Sequence, residues 1–205
     1  MKFSIIIPAH NSAGYIRKAL DSIKSQTFTD YELIVICDSC VDDTEQIAKQ
    51  YAHKVERCHY GQDGQTRNLG IDIAEGEWIL FMDDDDWWMD SFVLENINRQ
   101  LTDDIDILCF GFLWSSGSIG KPQGNRGHHW IAVWNKCWRR SFIGSTRFSA
   151  KYMESDVDFH IAMFNKQPRT RNMNAVLYYY NYMRKGSQTE LEYRKRNEGL
   201  CRKIL

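Results

Sequence analysis

Short apolar runs alternate with amphipathic stretches through the first 85 residues, and this alternation limits the possible folds more than any other feature. Ile5-Ile6-Ile7, Leu33-Ile34-Val35-Ile36 and Ile79-Leu80-Phe81-Met82 are continuous apolar runs of strand length. Between the first two, Ile16, Ala19, Leu20 and Ile23 fall at i, i+3, i+4 and i+7, the stripe of a helix with one buried face. The pattern predicts strands at 3–7 (ended by Pro8), 31–37, 55–60 and 79–82. It predicts helices opening at Asn11-Ser12, after a cap at Asp42 or Asp43, and through Arg67, Leu69, Ile71 and Ala74. A β-α-β-α-β-α-β order implies an α/β fold: a mostly parallel central sheet with helices on both faces. Ligands of such sheets bind beyond the carboxyl ends of the strands. Pro8 to Asn11, Asp38 and Asp83 to Asp86 all fall at those ends.

Asp83-Asp84-Asp85-Asp86 is the most pointed of the three. Like charges this close raise one another's pKa unless a cation sits among them. A hard divalent ion takes oxygen ligands and keeps positions open for substrate phosphates. The run therefore reads as a metal site for a phosphorylated ligand, against the plainer reading of a solvated acidic turn that caps the next helix. Two other phosphate-binding devices are missing. There is no G-x-G-x-x-G after a strand, and Gly120-Lys121 lacks the first Gly and the Ser/Thr of a P-loop.

Composition excludes some classes. A formal net charge of -1 argues against a nucleic-acid partner. No apolar run approaches the roughly 18 residues of a membrane span. Six scattered cysteines and an N-terminus without a signal-peptide layout suggest reduced thiols in a cytoplasm. With 205 residues the expectation is one domain, residues 1–205. In the second half the pattern predicts a helix at 90–101, a strand at 105–112, a Gly-rich loop at 115–129, a return to sheet at 130–140, a helix at 155–164, a strand at 177–183 and a helix at 190–205.

Several stretches resemble a known family. Ser4-Ile5-Ile6-Ile7-Pro8-Ala9-His10-Asn11, Ser25-Gln26-Thr27-Phe28, Glu32-Leu33-Ile34-Val35, Asp38, Thr66-Arg67-Asn68-Leu69-Gly70 and Ala74-Glu75-Gly76-Glu77-Trp78 follow in the order and spacing of family-2 inverting glycosyltransferases with the GT-A fold. The resemblance covers residues 3 to about 90 closely. It is looser at Trp134-Asn135-Lys136-Cys137-Trp138-Arg139-Arg140, Ser155-Asp156 and 178–187. It implies a nucleotide-binding half at 1–100, an acceptor-binding half with a C-terminal helix at 101–205, a sugar-nucleotide donor, often UDP-linked, a divalent cation (Mn²⁺ or Mg²⁺), and a saccharide or lipid-linked acceptor. By this resemblance Asp38 contacts the base, with Pro8, Ala9 and Asn11 flanking the same pocket, and Arg67 serves the nucleotide. Asp83 faces ribose and metal, Asp85 ligates the metal, Asp84 shares either task, and Asp86 caps the next helix. The resemblance also places the catalytic base at Asp156, with Glu154 and Asp158 as rivals because Ser155 stands where the family carries an acid. The implied activity is transfer of a hexose-type sugar to a hydroxyl in cell-surface polysaccharide synthesis. A non-catalytic nucleotide- or glycan-binding module and a metal-dependent nucleotidyltransferase are the alternatives.

Four features lie outside these roles. Cys37-x-x-Cys40 has redox or metal spacing without a second pair, and reads as packing plus a loop thiol. Trp87-Trp88 is read as one sugar- or nucleotide-stacking ring and one core ring. His128-His129-Trp130 is read as the acceptor side, with His129 alternatively reaching the metal, or as a solvated loop. Arg184-Lys185-Gly186-Ser187 is placed by the resemblance near the diphosphate. The segment 184–205 has seven Lys/Arg against three acids, either a weak attraction to an anionic membrane surface or a solvated helix face.

Overall fold

A computed structural model describes residues 1–122, 130–151, 154–187, 189–191 and 193–194. The first half runs β1 (Phe3–Ala9), α1 (Ile16–Lys24), β2 (Tyr31–Asp38), α2 (Thr44–Ala48), β3 (Lys54–Cys58), α3 (Asp63–Ile73) and β4 (Trp78–Phe81). The second runs β5 (Trp87–Trp88), α4 (Val93–Gln100), β6 (Ile107–Trp114), β7 (Ile119–Gly120), β8 (Lys136–Arg139), α5 (Arg140–Ile143), α6 (Ser155–Phe164) and β9 (Thr170–Tyr180). The strands form one sheet in the order β3-β2-β1-β4-β8-β6-β9-β5, with β7 paired to β6. The first four are mutually parallel. Strand β8 runs antiparallel to β4 and β6, and β9 is parallel to β6.

The continuous apolar runs are explained by burial on both faces. Phe3, Ile5 and Ile7 join Leu33, Val35, Trp78 and Leu80 under α1 and α4, while Ile6, Ile34, Ile36, Ile79 and Phe81 pack on the other face against α3 and α6. Successive strand residues point to opposite faces, so a strand covered on both sides has no polar register. Gly70 of α3 sits so close to the sheet that an added Cβ would lie 2.4 Å from Ile6 Cγ2.

This topology fixes where a ligand site can form. The chain steps outward from β1 to β2 to β3, then returns to place β4 on the other side of β1. The carboxyl ends of β1 and β4 thus flank a topological switch point, where diverging connections leave a crevice. Pro8 and His10 leave one side of it and Asp83 to Asp85 the other.

Several element expectations are corrected. Strand β1 continues through Pro8 to Ala9, with Pro8 in register with Ile36. Helix α1 begins only at Ile16, because Asn11 takes a left-handed conformation (φ 47°) and the chain turns before the helix opens. Asp42 does support the start of α2, accepting the Thr44 N–H at 3.0 Å, and it also accepts the Ala13 N–H at 3.0 Å. Asp86 caps nothing. It is fully buried and accepts the Tyr178 hydroxyl at 2.7 Å and the Asn181 N–H at 2.8 Å, tying the acidic loop to the end of β9. Residues 130–135 are loop, and only Lys136–Arg139 returns to the sheet. The last strand begins at Thr170, seven residues earlier than the apolar pattern suggests, because its first half is mostly polar and pairs with β6 beyond the reach of the two-residue β5. The loop expected at 115–129 contains β7 in its described part. His128, His129 and most of the expected helix at 190–205 lie outside the described residues.

Candidate active site

A cavity of about 490 Å³ opens at the switch point. Pro8 and His10 come from the end of β1, Asp83, Asp84 and Asp85 from the loop after β4, and Gln62, Asp63 and Arg67 from the start of α3. Ser155 and Asp156 at the start of α6, the 130–134 loop and the segment after β9 complete the walls. One sheet edge therefore gathers residues from Pro8 to Thr189, nearly the length of the chain.

The acidic run fans out instead of clustering. Asp83 Oδ1 accepts from Arg67 Nη2 at 2.7 Å, Asp84 Oδ2 from the His10 N–H at 3.2 Å, and Asp85 Oδ2 from Arg184 Nε at 2.7 Å. Asp86 turns inward to Tyr178. Burial pushes Asp84 and Asp85 above the usual carboxylate range, and their mutual repulsion with Asp83 adds to it. Arg184 opposes the shift at Asp85 and lies with its guanidinium carbon 3.9 Å from the Tyr15 ring centroid.

Arg67 is the hub. Its side chain is only 5% exposed, and it donates to Asp83 at 2.7 Å and to Asp156 at 3.2 Å. Burial alone would drive the charge off a cation, but Asp156, Asp83 and Asp63 outweigh it and hold the guanidinium protonated. Asp156 is pushed upward, first by burial and then by Asp83 and Asp63, with Arg67 and Lys136 opposing. A partly buried carboxyl of raised pKa at a cavity wall is suited to accept a proton near neutrality. Its two sequence rivals differ. Asp158 accepts from Ser149 Oγ at 2.7 Å and pairs with Lys151, which hold it below the usual range. Glu154 is exposed just ahead of α6. Neither lines the cavity.

The approach of α3 to α6 depends on one glycine. A Cβ on Gly64 would lie 2.7 Å from Ser155 Cβ and 3.0 Å from both Phe148 Cβ and the Ser149 carbonyl. Gly64→Ala is expected to push Asp156 away from Arg67, lowering kcat by about tenfold or more with a small loss of stability. Steady-state kinetics beside a urea melt would check this.

Asp38 lies below the site without lining the cavity. Its Oδ1 accepts from the Tyr60 N–H at 2.9 Å and Ser39 Oγ at 3.1 Å; its Oδ2 accepts from the Gln62 N–H at 3.2 Å and Thr66 Oγ1 at 2.9 Å. These donors occupy all four lone-pair positions of a carboxylate. Burial opposes ionisation, but the hydrogen bonds win and hold Asp38 below the usual range. In this conformation a ligand reaches its oxygens only if a donor turns away. Ala9 is buried, and Asn11 braces the loop by accepting the Val41 N–H at 2.9 Å. Of the expected site residues, Pro8, Arg67, Asp83, Asp84, Asp85 and Asp156 therefore meet at one cavity, while Ala9, Asn11 and Asp38 frame it from behind.

Two expectations find other roles. Trp88 is core, and Trp87 is stacked on Tyr179 with centroids 3.9 Å apart, Lys18 Nζ lying 3.1 Å from its own centroid. Cys37 and Cys40 are free thiols, and among the described residues no three His, Cys, Asp or Glu side chains form a ready metal cluster.

The family model for Glycosyl transferase family 2 matches residues 4–170, most of the chain and every strand from β1 to β8. The chain belongs to glycosyl transferase family 2. Among family relatives, EpsH of Bacillus subtilis (strain 168) is 30% identical over 170 residues, covering 71% of this chain and 49% of its own length. The poly(ribitol-phosphate) beta-N-acetylglucosaminyltransferase TarS of Staphylococcus aureus is 39% identical over 95 residues, covering 42% of this chain and 17% of its own. The chain thus spans about half of EpsH or less than a fifth of TarS along these matches. TarS residues 1-349 in complex with UDP-GlcNAc superpose with a TM-score of 0.81 at 23% identity, covering 93% of this chain and 61% of that one. The mannosyltransferase PcManGT of Pyrobaculum calidifontis, in complex with GDP-Man and Mn2+, superposes with a TM-score of 0.72 at 16% identity, covering 90% and 58%. The fold is that of these GT-A glycosyltransferases.

Sequence reasoning missed three parts of the site in this family-2 chain. Asp63, at the cavity wall, belongs to none of the motifs. Lys136, fully buried, and Trp134 lie in a stretch of looser resemblance that assigns them no role, and Phe112 and Trp114 carry no motif. The signal was present in Lys136 all the same: a lysine between Trp134 and Trp138 in an apolar context needs acceptors, and the neighbouring loop carbonyls provide them.

Proposed function

We propose that this domain carries out metal-dependent, inverting transfer of a hexose-type sugar from a nucleotide diphosphate sugar, UDP-linked by preference, to a hydroxyl acceptor in cell-surface polysaccharide synthesis. The observation that carries this reading is the Asp83–Arg67–Asp156 bridge at the switch point. It places a candidate base and the start of the acidic loop on opposite sides of one guanidinium. The UDP-GlcNAc complex of TarS, the family-2 match and the absence of a lysine-bearing loop after β1 support it.

The roles follow from placement. Pro8, Ala9, Asn11 and Asp38 form the base end of the donor site, Asp38 acting through the Tyr60–Gln62 segment it holds. Asp83 and Asp84 face the ribose and diphosphate. Arg67 keeps Asp83 and Asp156 in place. Asp156 accepts the proton of the acceptor hydroxyl as the new bond forms. The donor set suits Mn²⁺ or Mg²⁺, since such ions are commonly held by one or two carboxylates plus substrate phosphates. Asp85, with Asp83, offers that number at the cavity wall. When bound, the ion neutralises charge on the departing diphosphate. An ion that arrives with the nucleotide also accords with carboxylates that fan out and with Arg184 against Asp85.

Asp85→Ala is expected to remove the Mn²⁺-stimulated part of UDP binding, at least tenfold in Kd by titration calorimetry. The Mn²⁺-independent part should persist. Equal stimulation by Mn²⁺ in the variant and the parent would defeat the assignment of Asp85.

A further inference from the structure

The cavity has two chemically distinct walls, and the second has no part in the donor roles above. Trp114, Trp130, Trp134 and Tyr180 line it. Trp134 is sandwiched between Tyr178, with centroids 4.7 Å apart at 11°, and Tyr180, 4.8 Å apart at 29°. Trp114 packs edge to face on Trp130 at 5.9 Å and on Tyr180 at 5.1 Å, and keeps part of its surface open.

The wall is held rigidly by a buried cation. Lys136 is 0% exposed, and its ammonium donates to the Trp130 carbonyl, to the Ala132 carbonyl at 2.7 Å and to Asn135 Oδ1 at 2.8 Å. Burial lowers the pKa of this lysine to about 8, yet three acceptors fill its three N–H bonds. The irregular 130–135 loop is therefore fixed before any ligand arrives, which reduces the ordering cost of binding. Asp156 lines the same cavity, so the wall shares that space with the proposed base.

The charges at the cavity indicate what this wall does not take. Arg67, Lys151 and Arg184 are the cationic lysine and arginine side chains among the described lining residues. Each is already paired, with Asp83 and Asp156, with Asp158, and with Asp85. Five aspartates line the same space: Asp63, Asp83, Asp84, Asp85 and Asp156. Among the described lining residues a phosphate-bearing acceptor would find no unpaired lysine or arginine. The C–H face of a pyranose ring carries partial positive charge and matches the negative face of an aromatic ring; a flexible acyclic polyol presents no such face.

We propose that this aromatic wall is the acceptor subsite and that it selects an uncharged pyranose, not an alditol phosphate. The proposal rests on the sugar-transfer reading and adds the chemical class of its acceptor. Saturation-transfer NMR tests it on the full chain with UDP and Mn²⁺ present, using methyl β-glucopyranoside, methyl β-galactopyranoside and ribitol 5-phosphate as probes. At least one pyranoside is expected to receive saturation at its ring C–H protons, and ribitol 5-phosphate is expected to receive none. Trp114→Leu should raise the pyranoside Kd about tenfold, whereas Trp114→Phe, which keeps a π face, should raise it less than about threefold. UDP affinity, measured by calorimetry on the same samples, should be unchanged in both variants. Binding of ribitol 5-phosphate alone, equal losses in the Leu and Phe variants, or no pyranoside signal while UDP binds would each overturn the proposal. Failure of the parent chain to bind UDP would overturn the sugar-transfer reading and this inference with it.

Discussion

Asp156→Asn is expected to slow sugar transfer by about 10³-fold while leaving the UDP dissociation constant unchanged. The amide keeps the size of the carboxylate and can still face Arg67, so the cavity should retain its shape, but it accepts no proton. The pH profile of the parent chain offers a second readout. Burial raises the Asp156 carboxyl, and a base works only when ionised, so activity should be lost as pH falls through that raised value. The acid limb of kcat is therefore expected above the usual carboxylate range of about 4. The limb should vanish from the residual rate of the asparagine variant. Full transfer in Asp156→Asn would exclude this residue. Asp158 is a poor substitute because Ser149 and Lys151 already occupy it and hold it down.

Arg67→Met should have the largest effect on folding. It leaves Asp83 and Asp156 facing one another without the guanidinium, and breaking a buried pair by removing one partner costs about 3 kcal/mol. Arg67→Lys should recover little, because a point charge on a flexible stem cannot reach both carboxylates as a planar fork does. The deficit should depend on pH. Without Arg67 the Asp156 carboxyl loses the charge that opposes its upward shift, so the folded variant holds that proton more readily than the unfolded chain and gains stability as pH falls. The gap between Arg67→Met and the parent is thus expected to be widest near neutrality and to narrow toward pH 5. Urea unfolding at pH 5 and pH 7.5 measures it, and a gap that is constant or widens on acidification would contradict the bridge.

What the sequence revealed and what it hid follow from how far apart the partners lie. Strands β1, β2 and β4 were legible because burial on both faces leaves an unbroken apolar run, and α1 because Ile16, Ala19, Leu20 and Ile23 make one stripe. The site's position followed from topology, since Pro8 and Asp83 both end strands beside the switch point. The directions of the four aspartates were not legible. Asp83 turns to Arg67, Asp85 to Arg184 and Asp86 to Tyr178, and each partner comes from a different part of the chain. A run of like residues carries no information about such long-range choices. Asp38 is a similar case: its place at the end of β2 was readable, but its four donors arrive from Ser39, Tyr60, Gln62 and Thr66 only once α3 docks. Within the return to sheet expected at 130–140, residues 130–135 are loop and only Lys136–Arg139 pairs. The three acceptors of a buried lysine decide this.

The central claim is that the crevice between β1 and β4 seats a nucleotide diphosphate with a divalent ion at the acidic loop. A crystal grown with UDP and Mn²⁺, with anomalous scattering recorded for manganese, tests it most directly. The account predicts an anomalous peak at about 2.1–2.2 Å from a carboxylate oxygen of Asp85 or Asp83, with the diphosphate beside it and the uracil toward Tyr60 and Gln62. UDP bound elsewhere, or a manganese peak away from both carboxylates, would contradict it.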